Sequence, residues 1–145
     1  MVISAKVQSL CIAGAVFFLS VAWPCLTAAA SQWLVTGYTL GKSASLSKAE
    51  AEAWMGKAVL MDETSIIVGE KKCQISPSPQ EVDAMDYFAT QFHIKPAELG
   101  IRERKAVILH TQCDIPGFDP LIPLGDGRLA FFRDGVFFYL TQVHD

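Results

Sequence analysis

Residues with high β-propensity cluster in short segments that polar turn residues separate. The first segment, Trp33 to Leu40, is dense in β-branched and aromatic side chains and ends at Gly41. Similar segments follow at 57–61, 65–69, 105–113, 121–124, 128–132 and 136–143. The pattern predicts a small antiparallel β-sheet or a partly closed barrel of about six or seven strands.

A capping box predicts a first helix. The segment Ser47-Lys48-Ala49-Glu50 has the serine-to-glutamate spacing of this motif, and Gly56 is a natural C-terminal stop. A helix between these positions carries three residues on one face: Ala49, Ala53 and Trp54. We predict that this short helix packs against the sheet.

A second helix is predicted from residue 78 to residue 92. Ser78-Pro79-Gln80-Glu81 combines a capping box with proline at the first helical position, where its missing N–H has no partner to lose. Apolar residues then recur at helical spacing as one stripe: Val82, Met85, Phe88, Ala89 and Phe92. The stripe predicts that this helix also lies on the sheet.

The C-terminal segment predicts a three-stranded meander. Asp126-Gly127 and Asp134-Gly135 are hairpin-turn dipeptides, and a two-residue turn at the second one pairs Arg133 with Val136. Counting outward, one face of this hairpin carries Leu129, Phe131, Phe138 and Leu140, and the other carries Ala130, Phe132, Phe137 and Tyr139. Both faces are apolar. We expect one to face a barrel interior and the second helix to cover the other, and any uncovered part would be an exposed aromatic patch.

The first 30 residues have the pattern of a secretory signal peptide. Lys6 is their only charged residue, an apolar run extends from Leu10 to Trp23, and small residues follow up to Ala30. We predict cleavage after Ala30 and a periplasmic or secreted protein. The exported chain of about 115 residues is then a single β-rich domain, residues 31–145.

Two other fates of the N-terminal segment are disfavoured. A retained membrane anchor needs about 20 apolar residues, and here Pro24 interrupts a shorter run. A lipid anchor on Cys25 is disfavoured because Trp23 and Pro24 precede it, and bulky or ring-locked residues suit the lipoprotein peptidase poorly. We therefore predict no stable membrane insertion after cleavage.

The exported chain keeps two of the four cysteines, Cys73 and Cys113. An isolated pair in an oxidising compartment indicates a disulfide, which in the chain-entropy model contributes about 4 kcal/mol. A metal site with His93 or His110 is the alternative. It is disfavoured because positions 110 and 113 of one strand point to opposite faces, so no metal site is predicted.

Composition and motifs disfavour several functions. The formal net charge is −3, or −4 without Lys6, and the one short basic cluster, 102–105, is interrupted by an acidic residue, so no nucleic-acid binding is predicted. The chain contains no nucleophile elbow, zinc-protease pair or phosphate-binding loop. We predict no catalytic residue and no cofactor. An enzyme would be favoured only if His110 met a carboxylate in a cleft.

Trp33 near the predicted mature N-terminus, the antiparallel meander, a helix against the sheet and one disulfide resemble the lipocalin-like (calycin) small secreted barrels. The usual Gly-x-Trp opening of that family is here Ser31-Gln32-Trp33. The resemblance implies a barrel that carries or captures a ligand. The predicted fold is α+β: a sheet or partly closed barrel, two short helices packed against it and one disulfide.

Two functions are consistent with these features. The first is an exported non-enzymatic binding protein that holds a small apolar ligand in a barrel or in a sheet-helix groove, with Trp33 and Trp54 as candidate lining residues. In a small domain, however, tryptophan more often belongs to the core than to a ligand pocket. The second is a module that binds or inhibits an envelope or secreted protein, such as a hydrolase or an effector. Its candidate surface is the face that carries Phe132, Phe137 and Tyr139, or else the proline-rich loop from Pro116 to Pro123.

Overall fold

A computed structural model describes residues 29–144. The predicted signal peptide lies outside the described residues, apart from its last two positions. In chain order the described elements are β1 (Ser31–Leu40), α1 (Lys48–Glu52), β2 (Ala58–Met61), β3 (Ser65–Val68), β4 (Lys71–Gln74), β5 (Ser78–Asp83), α2 (Ala84–Phe92), a 3-10 turn (Pro96–Leu99), β6 (Lys105–His110), β7 (Ile122–Pro123), β8 (Leu129–Arg133) and β9 (Val136–Gln142).

Seven strands form one antiparallel sheet in the order β4-β3-β2-β1-β9-β8-β7, and β5 pairs with β6 in a second sheet. The two sheets are connected at both ends. Leu109 and Leu121 exchange backbone hydrogen bonds of 2.8 and 2.9 Å, which join the end of β6 to the chain entering β7. At the other end, the Ser76 N–H donates to the Thr111 carbonyl (3.0 Å) where the chain passes from β4 to β5. The large sheet is therefore a curled half-barrel that the small sheet flanks, which confirms the predicted fold class.

The predicted disulfide is confirmed. Cys73 lies in β4 and Cys113 follows β6, with 5.4 Å between their Cα atoms and 40 residues between them in the chain. The bond therefore crosslinks an edge strand of the large sheet to the chain leaving the small one. It reinforces the same junction that the Ser76 hydrogen bond forms.

The interior of the half-barrel is filled by aromatic rings. The hairpin β8–β9 has the register predicted from its turn, with Arg133 opposite Val136. On its inner face Phe131 stacks between Phe118 and Phe138, with centroid separations of 4.6 and 5.1 Å, and all three rings are fully buried. This cluster is named here the interior core.

The outer face of the same hairpin is covered by α2, as predicted. Phe92 of α2 lies 4.8 Å from Phe132 and 5.2 Å from Phe137 between ring centroids, and Phe88 of α2 is fully buried. Ile108 of β6 belongs to the same cluster. This cluster is named here the outer core.

The predicted start of the second helix is wrong. Residues 78–83 form β5, which pairs with β6 at every position from Ser78 to Asp83. The helix begins only at Ala84, where the Asp83 side chain accepts a hydrogen bond from the Asp86 N–H. The buried face is also different, because Ala84 and Phe88 are buried whereas Met85 is 58% exposed. Pairing along a whole strand outweighed the local capping signal.

The first helix has the predicted capping box, in which Ser47 and Glu50 each accept the other's backbone N–H. It ends at Glu52, so the predicted extension towards Gly56 is wrong. Its buried residue is Ala51 rather than Ala49 or Ala53, which are exposed. One turn and a half of helix presents too little surface to pack a whole face on the sheet.

Two further boundaries differ from the prediction. The segment 71–74 forms a strand, β4, that is not among the predicted strands. Strand β6 ends at His110 rather than continuing to Cys113, because Gln112 has a left-handed backbone conformation with φ 62°.

Candidate functional site

The five aromatic residues that the sequence singles out fall into two groups. Trp33 and Trp54 pack at the margin of the interior core, each partly buried. Phe132, Phe137 and Tyr139 belong to the outer core, where Phe137 is fully buried and the other two are half-buried. The structure therefore does not bring the five together into one site.

Trp54 lines an open cleft at the rim of the half-barrel. The cleft has a volume of about 740 Å³. It is lined by the corner between α1 and β2, by the β2–β3 hairpin and the β3–β4 turn, and by Ile115 and Arg133. We name it the Trp54 cleft and define it by its lining residues: Trp54, Lys57, Ala58, Leu60, Ile67, Val68, Gly69, Glu70, Lys71, Ile115 and Arg133.

The indole of Trp54 packs against two rings of the interior core, Phe131 and Phe138. Its ring centroid lies 5.7 Å from that of Phe131 and 5.5 Å from that of Phe138. The turn that follows α1 fixes the backbone, because the Gly56 N–H donates to the Val35 carbonyl at 2.9 Å. Gly56 has a φ of 79°, a conformation that favours glycine. One side of the ring is thus core and the other side faces the cleft.

The far wall of the cleft is the β2–β3 hairpin. Leu60 and Ile67 are paired directly across the two strands, and Leu60 is 39% exposed. The turn between these strands is stabilised by the Asp62 carboxylate, which accepts the backbone N–H groups of Thr64 and Ser65 at 2.7 Å each. These bonds lower the pKa of Asp62, with the Thr64 backbone bond as the largest cause.

Cationic side chains lie over the exposed part of the indole. The Lys57 Nζ is 4.0 Å from the Trp54 ring centroid, and the Arg133 Cζ is 5.1 Å from it. Lys71 also lines the cleft, and Glu70 is the one acidic residue in the lining. The site therefore combines an apolar wall, an aromatic ring and an excess of positive charge.

A smaller cleft of about 270 Å³ lies beside the outer core. Phe132 lines it together with Phe92, His93 and Lys42. The Phe132 ring is already packed against Phe92 and Phe137, at 4.8 Å from each centroid. Little of its surface remains for a ligand, so this cleft is the weaker candidate.

Tyr139 has partners of its own on the sheet. Its hydroxyl is 2.6 Å from the Thr39 hydroxyl, and the Arg128 guanidinium lies 5.0 Å from its ring centroid. Because Phe137 beside it is buried and Phe132 is packed under α2, these three residues do not form an open aromatic surface. The protein-interaction hypothesis itself stays a prediction.

His110 meets a carboxylate, but outside both clefts. Its Nδ1 lies 3.6 Å from an Asp119 oxygen, and its Nε2 is hydrogen-bonded to the Gln80 side chain at 2.9 Å. The Asp119 carboxylate also accepts the backbone N–H groups of Thr111 and Gln112, each at 3.1 Å. These contacts fit a residue pair that orders the loop after β6. That the protein is not an enzyme stays a prediction.

The cysteines do not offer metal ligands in this state. Cys73, Cys113 and Asp114 have potential ligand atoms within 4.8 Å of one another. Both sulfur atoms are in the disulfide, however, and a metal is bound by the thiolate. His93, the other histidine considered with the cysteines, lies at the C-terminal cap of α2 and lines the smaller cleft.

No family model matches this chain, and neither does any curated protein or solved structure. The likeness to calycin barrels therefore stays a prediction. Among residues 29–144, no helix is both long and apolar enough to cross a membrane.

Proposed function

We propose that this is an exported, non-enzymatic binding protein that holds a small apolar ligand in the Trp54 cleft. The observation that carries the proposal is the position of Trp54, whose ring packs against Phe131 and Phe138 and also lines the cleft, where Lys57 and Arg133 lie beside it. An aromatic ring that the core already holds in place loses little conformational entropy when a ligand binds.

The size and lining of the cleft support this choice. Its volume of about 740 Å³ falls within the range of roughly 300–1,000 Å³ that is usual for small-molecule sites. Its lining is largely apolar and includes Ala58, Leu60, Ile67 and Val68 as well as Trp54. The interior of the half-barrel offers less room, because the stacked rings of the interior core occupy it. A rim site therefore fits better than a ligand enclosed within the barrel.

The disulfide supports the exported location. A buried pair, with Cys73 4% and Cys113 7% exposed, forms and persists where the surroundings are oxidising. The periplasm and the exterior meet that condition, whereas the cytosol keeps thiols reduced.

Binding of N-phenyl-1-naphthylamine, a neutral apolar dye that fluoresces when it leaves water, tests the proposal. We expect saturable binding to the oxidised mature protein and about tenfold weaker binding to Leu60→Ser, since that variant removes apolar surface from the cleft wall. Met85→Ser is the matched control, because Met85 is even more exposed and lies on α2.

Thermal unfolding of each variant, recorded by circular dichroism, separates lost binding from lost structure. Equal dye affinity in wild type and Leu60→Ser, or an equal loss of affinity in Leu60→Ser and Met85→Ser, would rule out the Trp54 cleft as the binding site. Endogenous ligand carried through purification is detected by native mass spectrometry as a mass above that of the bare chain.

A further inference from the structure

We infer that the ligand of the Trp54 cleft is an amphipathic anion, whose apolar body lies along the indole and the β2–β3 wall and whose anionic head is bound by Lys57, Lys71 and Arg133. This inference rests on the proposed function, because it assigns the chemistry of the ligand to the same cleft. The inference adds an anionic head group to the ligand, and the apolar wall of the cleft does not by itself indicate such a group.

The charge of the lining is opposite to that of the chain. The whole sequence has a formal net charge of −3, yet three cations and one carboxylate line this cleft. Lys57 and Arg133 both lie near the Trp54 indole, at 4.0 and 5.1 Å from its ring centroid. An excess of cations in one cleft attracts an anionic ligand, and the attraction is stronger beside low-dielectric apolar walls than in bulk water.

The two lysines of the cleft are unpaired among residues 29–144. Neither Lys57 nor Lys71 makes an ion pair with a described carboxylate. Among the described residues this is also true of Lys42, Lys72, Lys95 and Arg102, whereas ion pairs join Lys48 to Glu52, Arg104 to Asp83, Lys105 to Glu81 and Arg128 to Asp126. The cleft lysines therefore have all their ammonium donors free for a ligand.

Arg133 is also able to bind a ligand group. Its Nε lies 3.4 Å from an oxygen of Asp134, whose side chain is 50% exposed. Exposed pairs of this kind are weak, so they exchange readily for a stronger partner. The Arg133 side chain is 29% exposed, and its planar guanidinium can donate two parallel hydrogen bonds to an anionic head group.

The head group is one that accepts hydrogen bonds and carries negative charge, such as a carboxylate, a sulfonate or a phosphate monoester. The apolar wall excludes a small inorganic anion as the preferred ligand, since such an ion would leave Leu60 and Ile67 in water. Cationic amphiphiles are disfavoured by like-charge repulsion from Lys57 and Lys71.

Two dyes with the same aromatic body test the charge requirement. 1-Anilinonaphthalene-8-sulfonate is N-phenyl-1-naphthylamine with one added sulfonate. We expect Lys57→Gln/Lys71→Gln to weaken binding of the sulfonate dye about tenfold and to change binding of the neutral dye by less than about twofold. The affinity of wild-type protein for the sulfonate dye should also fall with added salt, and that of the double variant should fall less.

Lys48→Gln is the matched control, because Lys48 is a surface lysine of α1 that does not line the cleft. It should leave the affinities of both dyes unchanged. Circular dichroism and the melting temperature confirm that each variant is folded, which matters because loosely folded chains bind the sulfonate dye non-specifically.

The outcomes separate this inference from the proposed function. If the neutral dye binds in the cleft but the double variant binds the sulfonate dye as tightly as wild type, the ligand is not selected by charge and the inference fails while the proposed function stands. An equal effect of Lys48→Gln also overturns the inference. If neither dye binds, or if Leu60→Ser changes the affinity of neither dye, the proposed function and the inference fail together.

Discussion

The two faces of the β8–β9 hairpin have similar aromatic sequences but are covered differently in the fold. On the outer face, Phe137 is sealed beneath the nine-residue helix α2. On the inner face, Phe131 and Phe138 are also buried, but the aromatic cluster continues into Trp54, which reaches the cleft. The helix beside Trp54, α1, has only five residues. The comparison shows that the aromatic content of a face does not by itself separate a closed core from an open site.

The largest effect is expected at the sealed face. Phe137→Ala should lower the free energy of unfolding by about 3–5 kcal/mol, because it removes a fully buried ring from under α2 and leaves a cavity. Denaturant unfolding measures this value. Leu40→Ala is the control, since its side chain is 45% exposed, and it should change stability by less than about 1 kcal/mol. A small loss for Phe137→Ala would show that α2 does not seal this face.

Removal of the crosslink is expected to have a comparable effect on the junction of the two sheets. Cys73→Ala/Cys113→Ala should lower the free energy of unfolding by about 4 kcal/mol, since it frees a 40-residue loop in the unfolded chain. Urea titration of the double variant and of reduced wild type should give the same midpoint. A variant as stable as the oxidised protein would contradict the stabilising role of the bond.

A smaller loss of stability and a larger loss of binding are expected on the open side. Trp54→Ala should lower the free energy of unfolding by about 2 kcal/mol, less than Phe137→Ala, because part of the indole already faces the cleft. It should also abolish measurable binding of N-phenyl-1-naphthylamine. Retained dye binding, or a stability loss as large as that of Phe137→Ala, would show that Trp54 serves only as a core residue, as the buried phenylalanines do.

The smallest effect concerns the turn that carries the cleft wall. Hydrogen bonds from Thr64 and Ser65 lower the pKa of Asp62 below its usual 3.8, so the carboxylate stabilises the folded state above that pH. This contribution is lost as the pH falls through the lowered pKa. Melting temperatures between pH 6 and pH 2 should therefore fall less steeply for Asp62→Asn than for wild type. Parallel curves would show that these bonds do not contribute measurably.

Local and covalent features of the fold could be predicted from the sequence. The register of β8–β9 follows from Asp134-Gly135 alone, because a two-residue turn leaves no freedom in the pairing. The disulfide follows from counting the cysteines of the exported chain. The segment 78–83 was different. Its serine, proline and glutamate fit both a helix start and an exposed strand, and the choice depended on β6, which lies far along the chain.

The candidate site was only partly predictable. Trp54 stood out as a large aromatic residue, and Lys57, three residues after it, was a local signal that could have been used. Lys71 and Arg133 could not be assigned to the same place, because β-strand pairing and the curl of the sheet bring them there. A charged residue beside a tight turn has no sequence pattern that separates a ligand contact from an ordinary surface position.

The junctions at the two ends of the large sheet also affect how the chain behaves at high concentration. At one end of the large sheet β4 remains an edge strand, and at the other end β7 is continued by β6, so the unpaired edge on that side is moved to β5. Strand β5 contains Pro79, which has no N–H to donate, and the charged residues Glu81 and Asp83. Such an edge resists pairing with a second chain. Strand addition at the β5 end of the assembly is thus disfavoured, and light scattering of concentrated oxidised protein should show no growth of aggregates from that edge.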